Sequence, residues 1–237
     1  MMVKTKLQKA KLFTMMLCLL ISLYPLSALS ADTTPVSSET NLTLAKILTK
    51  LENRYKPTGF TARFAQESTV KALEISDLAV GSITVKRPDK MRWTYTKPEN
   101  QIIITDGQTL WVHRPEENQV MIGKSPALLG DGKGASFLTD MNQIKKNFTI
   151  TLTEESTVNH YKLKLIPLKK APDLAVIYIL ISTKTFDLNE IITYNAYQDE
   201  TRIQFTDIAF KQQIDDALFT FDIPAGMDVV RFDENHE

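Results

Sequence analysis

One stretch near the start of the chain has the apolar spacing of an amphipathic helix. Leu44, Ile47, Leu48, Leu51 and Tyr55 recur at steps of three and four residues. This spacing places the five side chains on one face of a helix, with the intervening lysines and glutamate facing away. A proline and a glycine follow directly and predict the end of the helix.

Beyond this helix the apolar period changes to two, the period of half-buried β-strands. Turn signals such as Asp106-Gly107 separate several of the segments, which favours hairpins and an antiparallel sheet. The predicted strands cover residues 60–65, 81–85, 91–96, 102–104, 109–114, 119–122, 148–153, 160–168, 175–182, 189–196, 201–211 and 219–223.

Residues 125–146 interrupt the strand pattern. Two short apolar clusters, Pro126–Leu129 and Phe137–Met141, have the look of short helices, and three glycines separate them. We therefore expect a helical insertion midway along the sheet.

The fold class that follows is mainly β (α+β): a single curved antiparallel sheet of about eleven strands, forming an open half-barrel because large sheets twist and curl. The helix and the insertion must bury their apolar faces against this sheet. Helices that plug a half-barrel leave an apolar cavity, which is the usual form of a lipid-binding site.

The first thirty residues have the layout of a secretory signal peptide. Four lysines precede an apolar run from Leu12 to Leu23, and small residues follow up to Ala31. The run is short for a membrane span. We expect cleavage after Ser30 or Ala31, a flexible leader over 31–41, and one domain over 42–237 with the insertion at about 125–146 as its lid.

Export has consequences for the cysteine content and for the charge. Cys18 is the only cysteine, and it lies within the apolar run without the small preceding residues that lipid attachment needs. The exported chain would therefore carry no disulfide. After Ala31 there are 24 basic and 28 acidic residues, a formal net charge of −4. This balance weighs against a nucleic-acid partner.

The sequence contains no recognisable catalytic arrangement. His113, His160 and His236 are isolated, and no nucleophile elbow or zinc motif occurs. The glycine-rich stretch 130–134 lacks the strand and the Lys-Ser/Thr pair of a phosphate loop. We therefore predict no enzyme activity, no cofactor and no metal site.

One string of residues in the middle of the chain is the most informative part of the sequence. The string is Lys86-Arg87-Pro88, Trp93-Thr94-Tyr95, Pro98, Asp106-Gly107, Leu110-Trp111 and Gln119. In order and spacing it resembles a known family, the LolA carriers of outer-membrane lipoproteins in the periplasm, and the segments around 60–66 and 219–226 fit as well. Two departures are His113, where the family often has tyrosine, and a longer, lysine-rich stretch over 168–174.

The resemblance implies a monomeric carrier with an open barrel covered by helices. Such a carrier takes acylated lipoproteins from an inner-membrane ABC transporter and passes them to an outer-membrane acceptor lipoprotein. The alternative is a lipid- or lipoprotein-sensing envelope-stress module with the same half-barrel. Sensors of that kind usually carry a second domain. A hydrolase that uses His113 or His160 would lack partner residues.

The resemblance also suggests roles for individual residues. Arg87 would latch the lid, although a solvated edge charge would look the same in the sequence. The apolar candidates could equally be ordinary core. The predicted lipid-binding residues are Phe60, Phe64, Met91, Trp93, Tyr95, Ile102, Ile104, Leu110, Leu128, Leu129, Phe137 and Leu138.

Overall fold

A single curved sheet of 12 strands dominates the computed structural model, which describes residues 42–56, 59–125 and 142–232. The hydrogen-bonded order is β12-β6-β5-β4-β3-β2-β1-β11-β10-β9-β8-β7. The strands are β1 Gly59–Val70, β2 Ile75–Lys86, β3 Lys90–Lys97, β4 Gln101–Thr105, β5 Thr109–Arg114, β6 Gln119–Lys124, β7 Phe148–Leu152, β8 His160–Pro167, β9 Val176–Ser182, β10 Leu188–Tyr194, β11 Glu200–Lys211 and β12 Asp228–Arg231.

Three helical elements accompany the sheet in the described residues. Helix α1 spans Leu44–Arg54, α2 spans Asn142–Asn147, and a 3-10 helix spans Asp216–Phe219. The predicted amphipathic helix is thereby confirmed, and its apolar face buries Ile47 and Leu51. None of the helices in the described residues is long and apolar enough to cross a membrane.

The strand register divides the sheet into two faces, because directly opposed residues in an antiparallel pair point to the same side. Phe60, Val85, Met91 and Thr105 stand opposite one another in turn across β1 to β4. Their row belongs to the face that packs against α1, and we call it the inner face. The other side is the outer face.

The outer face is covered in part by the C-terminal strap, which we define as residues 212–232. Arg92 on β3 donates a 3.1 Å hydrogen bond to the carbonyl oxygen of Leu218, and Phe219 is buried. Lys86 and Lys90 both form ion pairs with Asp216, at 2.9 and 2.6 Å. The strap then adds β12 to the edge of the sheet beside β6.

The predicted architecture is confirmed as one open curved sheet with few helices, and one local prediction was wrong. No strand forms over 219–223, because the chain there leaves the 3-10 helix in extended form without a ladder partner. The last strand is instead Asp228–Arg231, and it pairs parallel to β6. The predicted signal peptide, the leader and residues 126–141 of the insertion lie outside the described residues.

Candidate lipid-binding face

An aromatic cluster occupies the inner face where β1, β2 and β3 meet. The Phe64 ring lies 4.7 Å from Trp93 and 4.9 Å from Tyr95, both edge to face. Phe205 of β11 lies 6.2 Å from Trp93. Edge-to-face pairs of this kind are favoured by the quadrupoles of the rings. The alternation of β1 and β3 thus brings three predicted site residues together.

The cluster depends on the absence of a side chain at Gly81. This residue stands opposite Phe64 on one side and Tyr95 on the other. A Cβ atom there would lie 2.8 Å from the Phe64 ring and 2.1 Å from the carbonyl oxygen of Thr94. Only glycine lets the two rings close over the strand at this point.

A second aromatic group ties α1 to the sheet. The Tyr55 ring lies 5.3 Å from Phe60 and 5.2 Å from Phe210. Its hydroxyl oxygen accepts a 2.9 Å hydrogen bond from the backbone N–H of Leu188. Arg54 pairs with Asp187 at 2.7 Å, so the end of the helix is held by both apolar and polar contacts.

Burial decides the titration of the two inner-face tyrosines. Burial raises the pKa of Tyr95 to about 12, and its hydroxyl donates a 3.0 Å hydrogen bond to Oε1 of Gln66. Burial also raises the pKa of Tyr55, while the hydrogen bond from Leu188 and the charges of Arg54 and Arg87 act to lower it. Both phenols are therefore neutral at physiological pH.

Arg87 lies in the β2–β3 turn, where it is half-buried. Its positive charge is among the influences that act to lower the pKa of the Tyr55 phenol. The neighbouring Lys86 and Lys90 hold the same turn to Asp216 of the strap. The lid that Arg87 is predicted to latch lies outside the described residues, and the latch stays a prediction.

The predicted lipid-binding residues divide into three groups. Six of them follow the inner-face alternation, and of these all but the half-buried Tyr95 are buried: Phe60, Phe64, Met91, Trp93, Tyr95 and Leu110. Four lie outside the described residues: Leu128, Leu129, Phe137 and Leu138. The remaining two, Ile102 and Ile104, belong to the outer face. The lipid-binding role itself stays a prediction for every member.

The register of β4 explains the third group. Ile104 stands opposite Arg92 and Trp111, and Arg92 is hydrogen-bonded to the strap. Ile103 is the residue that stands opposite Trp93 and packs against the inner core. Ile102 and Ile104 therefore do not share a surface with Trp93.

Other inner-face residues were absent from the predicted set. Ile83 stands opposite Trp93 and is fully buried, and Phe205 completes the aromatic cluster. The alternation within the predicted strand 81–85 could have identified Ile83. No signal in the sequence alone pairs Phe205 with Phe64, because the two strands are far apart in the chain and adjacent only in the sheet.

The inner face is closed in this structure. Phe64, Met91 and Trp93 are each at most 5% exposed. Of the cavities lined wholly by described residues, one of about 460 Å³ lies between the β8–β9 and β10–β11 turns. Another of about 480 Å³ lies beside Phe64 among residues of β1, β2, β3 and β11. An acyl chain would reach the aromatic cluster only after the covering elements move.

The described residues offer no cluster of metal ligands and no two histidines close enough to act together. Residues 42–56, 59–125 and 142–232 contain no group of three or more His, Cys, Asp or Glu that could hold a metal ion. His113 on β5 and His160 on β8 lie eight places apart in the strand order, so they cannot act together. His113 contacts the Phe221 ring of the strap, and His160 contacts Asn189.

Fold and site together define a half-barrel protein with an apolar inner face. Residues 56–222 match the family model described as outer membrane lipoprotein carrier protein LolA. The chain belongs to the LolA family.

Individual relatives agree with this assignment. A Pseudomonas aeruginosa (strain UCBPP-PA14) protein named outer-membrane lipoprotein carrier protein is 30% identical over 178 residues, covering 72% of this chain and 80% of that protein. A Dechloromonas aromatica (strain RCB) protein of the same name is 31% identical over 150 residues, covering 63% of this chain and 70% of that protein. An uncharacterized conserved protein from Thermus thermophilus has a similar fold, with a TM-score of 0.52 at 13% identity over 79% of this chain and 98% of that one.

Proposed function

We propose that this protein is a periplasmic carrier that binds the acyl chains of lipoproteins released from the inner membrane and delivers them to an outer-membrane acceptor. The observation that carries the proposal is the buried aromatic inner face, which shares one core with α1, in a chain of the LolA family. The protein performs no chemistry on its cargo, and it binds neither a cofactor nor a metal.

The free energy of cargo binding comes from apolar burial. Each methylene transferred from water to the inner face contributes about 0.8 kcal/mol. An acyl chain must displace contacts that already bury Phe64 and Trp93, so only the surplus appears as affinity. A small difference in free energy between the loaded and the empty state suits a carrier, because the cargo can then be released to an acceptor.

Arg87 is the proposed latch of the closed, empty state. It is half-buried in a turn whose two flanking lysines are held by Asp216, so its position is restrained from the outer face. A guanidinium offers five donors in a rigid fork, and hydrogen bonds from a charged donor contribute about 1.5–3 kcal/mol. Carbonyl groups of the insertion would be the acceptors.

The proposed partners follow from the route of the cargo. An inner-membrane ABC transporter loads the carrier, and an outer-membrane acceptor lipoprotein receives the acylated protein. The carrier acts as a monomer. A sensing module with the same half-barrel is the competing function, and it would bind lipoproteins without passing them on.

Two tryptophans on opposite faces provide the test of acyl binding. Trp93 lies on the inner face, and Trp111 stands opposite Ile104 on the outer face. Acyl chains of increasing length should displace a bound hydrophobic dye with rising affinity. They should change the emission of Trp111→Phe, which keeps Trp93, and leave that of Trp93→Phe unchanged.

Delivery requires a second measurement. Carrier isolated from the periplasm should contain acylated proteins detectable by mass spectrometry, and it should pass them to a purified acceptor. Dye displacement that does not depend on chain length would contradict acyl binding. Cargo that is bound and never transferred would favour the sensing module.

A further inference from the structure

Three turns at one end of the sheet each expose a large apolar side chain. Leu73 in the β1–β2 turn is 66% exposed, Leu168 in the β8–β9 turn is 62% exposed, and Tyr197 in the β10–β11 turn is 74% exposed. Val70, Ile75 and Ile166 beside these turns are also exposed. We call these three turns the apolar rim.

The strand order makes the rim continuous. Strands β1, β11, β10, β9 and β8 are consecutive neighbours, so the three turns follow one another along one edge. With strands about 4.8 Å apart, successive turns lie roughly 10 Å from each other. The paired ends Thr69–Glu200 and Tyr194–Val176 keep the turns at a similar height.

Hydrogen bonds between the turns hold the rim together. The backbone N–H of Lys71 donates to Oδ1 of Asp199 at 2.9 Å, which joins the first turn to the β10–β11 turn. The N–H of Ala196 donates to the carbonyl oxygen of Pro172 at 2.9 Å, which joins that turn to the β8–β9 turn. The three apolar tips are therefore presented together by a fixed scaffold.

Lysines accompany the apolar tips. Lys71 lies two residues before Leu73, and Lys169 and Lys170 directly follow Leu168. The acidic residues of the same turns are Glu74, Asp173 and Asp199, and Asp199 is already engaged with Lys71 N–H and the Asn195 amide. Lys170 also borders the cavity of about 460 Å³, whose other walls are Ile166, Leu174, two prolines and three alanines.

We propose that the apolar rim docks on the surface of a phospholipid bilayer. Leucines and a tyrosine at turn tips are suited to the boundary between headgroups and acyl chains, where aromatic rings are enriched. Lysine side chains reach from that boundary to the lipid phosphates. Three separated tips in a row fit a fluid surface better than the single groove of a protein partner.

The rim lies where the inner face reaches the end of the sheet, so docking would assist cargo transfer; this step rests on the proposed function. Val70 and Ile75 continue the inner-face alternation of β1 and β2 beyond Phe64 and Gly81. The inner face therefore opens toward the rim at this corner of the sheet. A carrier seated by its rim would hold the inner face beside the membrane in which the transporter or the acceptor lies, so that acyl chains pass between them without exposure to water.

Flotation with vesicles of phosphatidylethanolamine and phosphatidylglycerol tests the proposal, using protein isolated from the periplasm. The wild type should float with the vesicles. The double variant Leu73→Ser/Leu168→Ser should lose at least tenfold in partitioning, since burying each leucine accounts for about a tenfold change or more. Val158→Ser is the matched control, because Val158 is 76% exposed at the opposite end of the sheet, and it should float as the wild type does.

Two further measurements separate the electrostatic part of vesicle binding from the binding of acyl chains. Lys169→Gln/Lys170→Gln should float less and lose its sensitivity to salt, because the phosphate contacts are electrostatic. Dye displacement by acyl chains should be unchanged in all these variants. A wild type that stays off the vesicles, or a leucine variant that floats equally well, overturns the rim proposal. Failure of dye displacement with intact flotation overturns the proposed function instead.

Discussion

The two faces of the sheet bury apolar residues for different purposes. On the inner face the aromatic cluster of Phe64, Trp93 and Tyr95 belongs to the same core as α1, and in the order of the strands in the sheet this core runs from β3 to β7. The outer face is apolar where the strap covers it, around Ile104. Toward β10 and β11 it is polar, with Arg202 held between Glu190 at 2.8 Å and Glu200 at 2.9 Å.

The difference indicates which face can open. The strap is fixed by ion pairs, by Phe219 and by its own strand in the sheet. Helix α1 contributes no strand to the sheet. It is held by side-chain packing, by the contacts of Arg54 and Tyr55 at its end, and by the 2.7 Å ion pair between Glu52 and Lys145. We therefore expect the inner face to exchange its covering for a ligand and the outer face to be structural.

Truncation of one buried side chain on each face should give the largest losses of stability. Met91 and Ile104 are both almost fully buried, on the inner and the outer face respectively. We expect Met91→Ala and Ile104→Ala each to lower the free energy of unfolding by about 2–5 kcal/mol. Denaturant unfolding measures this loss. Acyl affinity should change only for Met91→Ala, and an equal change in Ile104→Ala would show that the faces are not functionally distinct.

Arg87 should affect transfer more than stability. If its hydrogen bonds contribute about 1.5–3 kcal/mol to the closed state, Arg87→Leu shifts the lid equilibrium by roughly ten- to more than a hundredfold. The variant should bind acyl cargo at least as well as the wild type and pass it on poorly. Arg87→Lys should be milder, since lysine keeps the charge and loses the fork.

The assay compares cargo binding with transfer to acceptor in the same preparations. Arg92 provides the control, because it is an arginine of the adjacent strand β3 whose guanidinium bonds to the strap. Arg92→Leu should transfer at the wild-type rate. Normal transfer by Arg87→Leu would leave Arg87 as an edge charge.

Tyr95→Phe should have a smaller effect with a distinct pH dependence. The lost hydrogen bond to Gln66 costs about 0.5–1.5 kcal/mol. The pKa of Tyr95 in the folded state is about 12, which is above the ordinary value for tyrosine. The contribution of the Tyr95 phenol to the free energy of unfolding is therefore complete below about pH 10 and is lost as the pH rises toward 12. The difference in stability between wild type and variant should shrink over that range. A difference that stays constant up to pH 12 would argue against burial as the cause.

Much of the fold could be predicted from the sequence, because period and turn chemistry are local signals. The spacing of Leu44 to Tyr55 gave α1, and Asp106-Gly107 marked a turn in which Gly107 has a positive φ of 101°. Alternation placed Met91, Trp93 and Tyr95 on one face of a single strand. The family string supplied the function, and the family match agrees with it.

The sequence is a poor guide where local signals are ambiguous. Ile102, Ile103 and Ile104 are three consecutive apolar residues, so alternation could not show that Ile103 faces inward; the partners in β3 and β5 decide this. The apolar residues around Phe219 look like a strand, although they serve to anchor the strap on the outer face. Long-range pairing such as Phe64 with Phe205 has no local signature.

The smallest effect is expected at Asp216, where the strap meets the turn that contains Arg87. Hydrogen bonds from Lys90 and then Lys86 hold the pKa of this carboxyl below its ordinary value. A carboxyl group with a lowered pKa stabilises the fold at pH values above its ordinary pKa. This stabilisation is lost as the pH falls through the pKa of the folded state. Asp216→Asn should therefore lower Tm slightly near neutral pH and leave it unchanged in strong acid, whereas Asp222→Asn should have no effect at either pH. Since the group is exposed, salt should reduce the difference as well. Acyl binding should be the same in both variants; a loss of binding in Asp216→Asn would mean that the strap controls the inner face and that the outer face is not merely structural.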